Sequence, residues 1–139
     1  MAVKAKELRF AVDLTATGEL REEHGAALEE PPEWSPEHLL LAALVRCSLK
    51  SLRYHARRQG LDVRSAAGSS RTLVTKRESD GRHALAEAEL ELVVEIEPEP
   101  EPDGLARLLA LAERDCFVGS SLTITPRYGW TVNGRTIGS

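Results

Sequence analysis

Cys47 and Cys116 are the two residues whose chemistry this sequence leaves most in need of explanation. A thiol can pack as a small apolar group or, once ionised, attack an electrophile and pass through a sulfenic acid to a disulfide. Two cysteines so far apart do not make a disulfide-stapled mini-domain, and in a cytosolic chain such a pair is reduced and buried, or redox-active. On residue type alone, inert burial is the commoner fate. His24, His38, His55 and His83 show no paired metal spacing, and zinc needs more ligands than two isolated cysteines, so no metal is expected. Arg46, Lys50, Arg53, Arg57 and Arg58 form a basic stripe that could meet phosphate. With abundant glutamates nearby, a solvated or salt-bridged face is the better expectation. A phosphate-binding glycine loop, Gly-x-Ser-x-Gly and His-Glu-x-x-His are all absent, which leaves nucleotide, serine-hydrolase and zinc-protease chemistry without a starting motif.

The chain that must position the two thiols has 139 residues and a mass of 15.2 kDa, which fits a single domain over 1–139. Hydrophobic residues at 42% and charged residues at 29% place it among globular folding units and away from disordered or membrane chains. A formal charge of -4 gives no global attraction to nucleic acid or to an anionic membrane, and 4% aromatics leave few platforms for stacking bases. Neither nucleic acid nor membrane is therefore an expected partner. Met1 to Lys6 lacks the apolar segment of a secretory signal, and the longest apolar run, Leu39 to Val45, is far short of a membrane span, so the expected location is cytoplasmic.

Leu8, Phe10, Val12 and Leu14 alternate with polar or small residues, the period-two pattern of a half-buried strand, and Thr17-Gly18 marks a turn. Arg21 to Trp34 reads as an acidic loop with a short strand around Ala26 to Leu28. Ser35, Pro36 and Glu37 then form a helix start, and the helix is predicted to run from Pro36 to Arg58 and stop at Gly60. Leu39, Leu40, Leu41, Ala43, Leu44 and Val45 cover nearly every direction of its first half. A chain of this size has difficulty surrounding such a helix, which predicts a second subunit covering it.

Val63 to Val74 reads as a strand, and Ser79-Asp80-Gly81 as the turn before a long alternation. In that alternation Ala84 to Ile96 hold the even positions, and Glu87, Glu89, Glu91, Glu95 and Glu97 the odd ones. Pro98, Pro100 and Pro102 form a stiff connector, and Asp103 is expected to cap a second helix with Cys116 on its apolar stripe. Leu122, Ile124 and Pro126 suggest a closing strand, and Asn133-Gly134 a tight hairpin. Strands clustered in antiparallel hairpins, not alternating one-for-one with helices, give an α+β class.

Two segments carry a resemblance. Ser35-Pro36-Glu37-His38-Leu39-Leu40-Leu41-Ala42-Ala43-Leu44-Val45-Arg46-Cys47, followed by Asp115-Cys116-Phe117-Val118-Gly119-Ser120-Ser121-Leu122, resembles the paired motifs of the OsmC/Ohr family, named for osmotically inducible protein C and organic hydroperoxide resistance protein. Element order agrees from about Leu8 to Trp130. The resemblance implies an intertwined homodimer, with antiparallel sheets wrapped around long central helices and active sites at the subunit interface. It also implies thiol-dependent reduction of organic hydroperoxides, with an external thiol or dithiol as reductant and no bound cofactor. By position Cys47 resembles the peroxidatic cysteine, Cys116 the resolving cysteine and Glu37 the acidic residue of the active site. Arg21 is the candidate for the family's N-terminal arginine. Two positions depart from the pattern: Arg46 stands where the family usually has a small residue, and Phe117 where proline is common.

The proposed chemistry has a physical logic. The thiolate attacks the O–O bond, so Cys47 needs a cation beside it and an apolar pocket. Ten residues of straight helix at ~1.5 Å each place Glu37 roughly 15 Å from its own Cys47. Glu37 is therefore expected either to follow a break in the helix or to serve the cysteine of a second subunit. A non-catalytic dimer of the same fold, binding a small apolar or electrophilic ligand at the interface, is the alternative.

Overall fold

The structure is a computed structural model that describes residues 5–29 and 33–138. Its contacts separate a compact unit before Pro36 from a larger one that begins there.

In the N-terminal unit, β1 (Val12–Leu14), β2 (Leu20–Glu22) and β3 (Ala27–Leu28) form an antiparallel sheet in the order β1-β2-β3. Turns at Gly18 and Gly25, both at positive φ, join the strands. The strand expected over Leu8 to Leu14 is paired only from Val12 on, so the alternation overstates its length.

The larger unit begins with α1 (Pro36–Arg58), whose bounds are those predicted. Its Gly60 takes φ 75°, the left-handed conformation that ends the helix. β4 (Asp62–Lys76) and β5 (His83–Glu97) form a long antiparallel hairpin, followed by α2 (Pro102–Arg114), the single turn α3 (Phe117–Ser120), β6 (Arg127–Val132) and β7 (Arg135–Ile137). The sheet order is β4-β5-β6-β7. β6 runs parallel to β5, so the chain crosses over through α2 between them, and the sheet is not built from hairpins alone. β6 and β7 close on Asn133 (φ 52°) and Gly134 (φ 80°), the two positive angles that a tight Asn-Gly hairpin requires. Asn133 also clasps β5, accepting from the Ile96 N–H at 2.8 Å and donating to the Ile96 carbonyl at 3.1 Å.

The core lies between one face of this sheet and the helices. Ala88, Leu90, Leu92, Val94 and Ile96 of β5 are buried, while the glutamates between them face outward, as the alternation predicts. Leu44, Ser48, Leu52 and Ala56 recur every four residues as the buried stripe of α1, and Leu105, Leu108, Leu109 and Ala112 form that of α2. Away from this stripe, Leu39, Leu40, Leu41 and Val45 are only half-buried, and Ala42 and Ala43 are exposed.

Two expectations need correction. α2 starts one residue before Asp103: Pro102, which needs no N–H bond there, takes the first helical position, and Glu101 is the boundary residue without a side-chain cap. Leu122 to Pro126 is not a strand; the ladder with β5 begins at Arg127, after a proline that has no N–H to donate to it.

Gly68 of β4 lies opposite Leu92, beneath α1. A Cβ there would come within 2.5 Å of Leu92 Cδ2 and 3.3 Å of Val45 Cγ1. Leu92 is fully buried and has little room to retreat. Gly68→Ala is expected to cost about 1–3 kcal/mol in urea denaturation. Gly129→Ala should cost far less, because its Cβ would meet only the flexible end of the Glu91 side chain.

Candidate active site

The site forms where α1 meets the short turn after α2. α2 ends at Arg114, and Cys116 adopts an extended conformation (φ -76°, ψ 108°) as the residue that caps α3, its sulfur accepting from the Gly119 N–H at 3.4 Å. Cys116 is thus completely buried, as expected, but at a helix start and not on the stripe of α2. Cys47, half-buried on α1, lies against the Cys116 sulfur and the backbone N–H groups of Phe117 and Val118. Both cysteines are free. Burial pushes the Cys47 thiol above the usual range, and the Cys116 sulfur adds to this, while the Val118 and Phe117 N–H groups pull the other way by hydrogen-bonding the charged form.

Two polar residues complete the pair. Ser48, fully buried on the α1 stripe, donates from Oγ to the Cys116 sulfur at 3.4 Å and lies 2.8 Å from the Tyr128 hydroxyl. Tyr128, on β6, stacks on Trp130 with ring centroids 5.9 Å apart, and burial raises its phenol well above the ordinary range. Gly119 closes the space: a Cβ there would sit 3.5 Å from the Cys116 sulfur and 3.6 Å from the Tyr128 hydroxyl. Neither Ser48 nor Tyr128 was among the sequence candidates. The signal for Ser48 was present, as a polar residue on the same four-residue register as Leu44, Leu52 and Ala56.

Of the four predicted site residues, the structure brings Cys47 and Cys116 together. Glu37 is exposed in the first turn of α1. Since α1 is continuous from Pro36, the broken-helix alternative is ruled out, and Glu37 stays roughly 15 Å from its own Cys47. Arg21 stands in β2 of the N-terminal unit, where its guanidinium pairs with Glu19 and donates to the Gly25 carbonyl at 2.8 Å. Arg46 is exposed on α1.

A further contact fixes the segment carrying Cys116. Asp115 accepts hydrogen bonds from Arg114 Nε at 2.9 Å and Nη2 at 3.0 Å and lies 2.7 Å from His55 Nε2, tying the turn to α1. The Arg114 hydrogen bond, with help from His55, lowers the Asp115 carboxyl below its ordinary value. A depressed carboxyl contributes stability that is present above its unfolded value and lost as pH falls through the folded one. The native protein is therefore expected to lose stability below about pH 4, near the unperturbed carboxyl value, and Asp115→Asn to flatten that acid limb in urea titrations.

The family model for OsmC-like proteins matches residues 28–129, a stretch that holds both cysteines. An OsmC-like protein of unknown function from Vibrio cholerae is similar in structure, with a TM-score of 0.69 at 18% identity over 81% of this chain and 82% of that one. An OsmC-like protein from Mycoplasma pneumoniae has a TM-score of 0.68 at 13% identity, over 93% of this chain and 99% of that one. An organic hydroperoxide resistance protein from Elizabethkingia anophelis has a TM-score of 0.65 at 15% identity, over 93% and 98%. No curated protein matches the sequence. At these identities the structural likeness is one of fold, and it agrees with the α+β arrangement of sheets and helices found here. With its model spanning most of the sequence, the family is settled: this chain belongs to the OsmC-like proteins.

Proposed function

We propose that the protein is a thiol-dependent peroxidase that reduces organic hydroperoxides to alcohols, working as a cytoplasmic homodimer. The observation that carries this reading is the meeting of Cys47 and Cys116, far apart in sequence, with the first half-buried and the second fully enclosed. The more accessible sulfur is the nucleophile. Its thiolate attacks the terminal peroxide oxygen, the O–O bond breaks, and the alkoxide takes a proton to leave as the alcohol. Cys47 is then a sulfenic acid, and the Cys116 thiolate displaces hydroxide from it to form the disulfide. An external thiol or dithiol reduces that disulfide by exchange.

The reading assigns supporting roles to Glu37 and Arg21. Burial, the largest influence on the Cys47 thiol, leaves it raised, so activation calls for a positive group, and Arg21 is the candidate. Glu37 is too far from its own Cys47 and serves the cysteine of a second copy. The half-buried leucines and exposed alanines in the first half of α1 support a subunit covering them.

A non-catalytic dimer that binds a small apolar or electrophilic ligand is the second reading. It is favoured by the partial burial of Cys47, since a sulfur held away from water is harder to ionise. Turnover of cumene hydroperoxide with dithiothreitol, compared between the native protein, Cys47→Ser and Cys116→Ser, separates the two.

A further inference from the structure

The two sulfurs differ in exposure and in the kind of donor they meet: Cys47 faces the backbone N–H groups of Val118 and Phe117, whereas Cys116 also meets a buried side-chain hydroxyl. Cys116 receives the Ser48 hydroxyl and the Gly119 N–H, each at 3.4 Å. Ser48 has one hydroxyl proton, and when it is given to the Cys116 sulfur the 2.8 Å contact is served by the tyrosine hydroxyl donating to Ser48 Oγ. This gives a directed chain, Tyr128 to Ser48 to Cys116, in a pocket where Ser48 and Cys116 are both fully buried. Hydrogen bonds to an ionised sulfur are stronger than those to a neutral one, and more so away from water. The chain thus stabilises Cys116 most when it carries negative charge.

In disulfide exchange the better-stabilised sulfur departs and the more accessible one is attacked. We propose that Ser48, oriented by Tyr128, decides which sulfur leaves when the Cys47–Cys116 disulfide is reduced, by hydrogen-bonding the departing Cys116 thiolate. An external thiolate attacks Cys47 Sγ, the Cys47–Cys116 bond breaks, and its electron pair goes to Cys116. A mixed disulfide then joins Cys47 to the reductant. A second thiolate attacks the reductant sulfur of that mixed disulfide, which releases Cys47 as a thiolate and the reductant as its own disulfide. Two thiols supply the two electrons, and Cys116 later takes its proton from solvent. Ser48 touches the reacting atom; Tyr128 acts through Ser48 and is a positioning residue.

The inference takes the origin of the disulfide from the proposed peroxidase activity, and its test is built to fail separately. The disulfide is made with diamide, without any hydroperoxide, and reduced with excess 2-mercaptoethanol. Alkylation and peptide mass then give the rate and the site of the mixed disulfide. Native protein is expected to carry the adduct on Cys47. Ser48→Ala should be reduced roughly ten- to a hundredfold more slowly, the scale of one hydrogen bond to a charged group, with adduct appearing on Cys116 as well. Ser48→Thr, which keeps a hydroxyl, should restore both the rate and the site. Tyr128→Phe keeps Ser48 and should shift both measures in the same direction by a smaller factor, and it carries the test alone if Ser48→Ala does not fold. A Ser48→Ala protein with native rate and Cys47-only adduct overturns the inference, and so does the absence of any Cys47–Cys116 disulfide after diamide. A disulfide that forms with diamide but never with cumene hydroperoxide overturns the peroxidase reading and leaves this one standing.

Discussion

Cys47→Ser is expected to lower steady-state reduction of cumene hydroperoxide by dithiothreitol by at least about a thousandfold. A serine hydroxyl is protonated at any working pH, and its oxygen is a poor nucleophile toward peroxide oxygen, so the substitution removes the bond-forming atom and leaves the pocket almost unchanged in shape. Cys116→Ser separates the two halves of the cycle. One equivalent of peroxide should still be consumed, but the sulfenic acid of Cys47 then has no neighbour to capture it. It should appear as a dimedone adduct on Cys47 and, with excess peroxide, climb to the irreversible sulfinic acid. Native protein and Cys47→Ser turning over at the same slow rate would instead leave the ligand-binding dimer as the function.

The second large effect is on stability. Leu52→Ala is expected to cost about 3–5 kcal/mol, the upper part of the range for such changes, against a total on the order of 5–15 kcal/mol for a domain. Leu52 is fully buried and lies between Ser48 and Ala56 on the stripe of α1. Both flanking side chains are small, and the neighbouring β4 and α2 are held by their own ladder and packing, so little can move in to fill the space. Urea denaturation measures the loss. A cost under about 1 kcal/mol would mean that this stripe is not the seam between helix and sheet.

Much of the fold was legible because its signals are local. Pro36 and Gly60 bound α1 by donor count and backbone conformation, properties a residue carries with it. The alternation over β5 survives because one face is dry and the other wet, and Asn133-Gly134 specifies its hairpin by the only φ angles that fit. The errors lie where neighbours in space decide. Leu122 to Pro126 alternates without a partner strand, and Asp103 has capping chemistry one residue inside a helix already begun by Pro102. Cys116 continues the spacing of the α2 stripe, yet the helix ends at Arg114, and the cysteine turns inward by an extended step. Of the candidate site, the cysteine pair followed from sequence, whereas the Tyr128 to Ser48 chain depends on β6 lying beside β5 and beneath α1. That juxtaposition has no trace in residue spacing.

The parallel pairing of β5 with β6 also sets an order of events while the chain folds. The β4–β5 hairpin can zip from its own turn, but a parallel ladder waits until a long intervening segment has been gathered in, which makes it slow to form. α1 emerges early in synthesis, while Cys116 and Tyr128 arrive with the segment that the crossover must deliver. A newly made chain therefore carries Cys47 through a period without Cys116 beside it, and under the proposed peroxidase chemistry that is when oxidant most easily spoils the molecule.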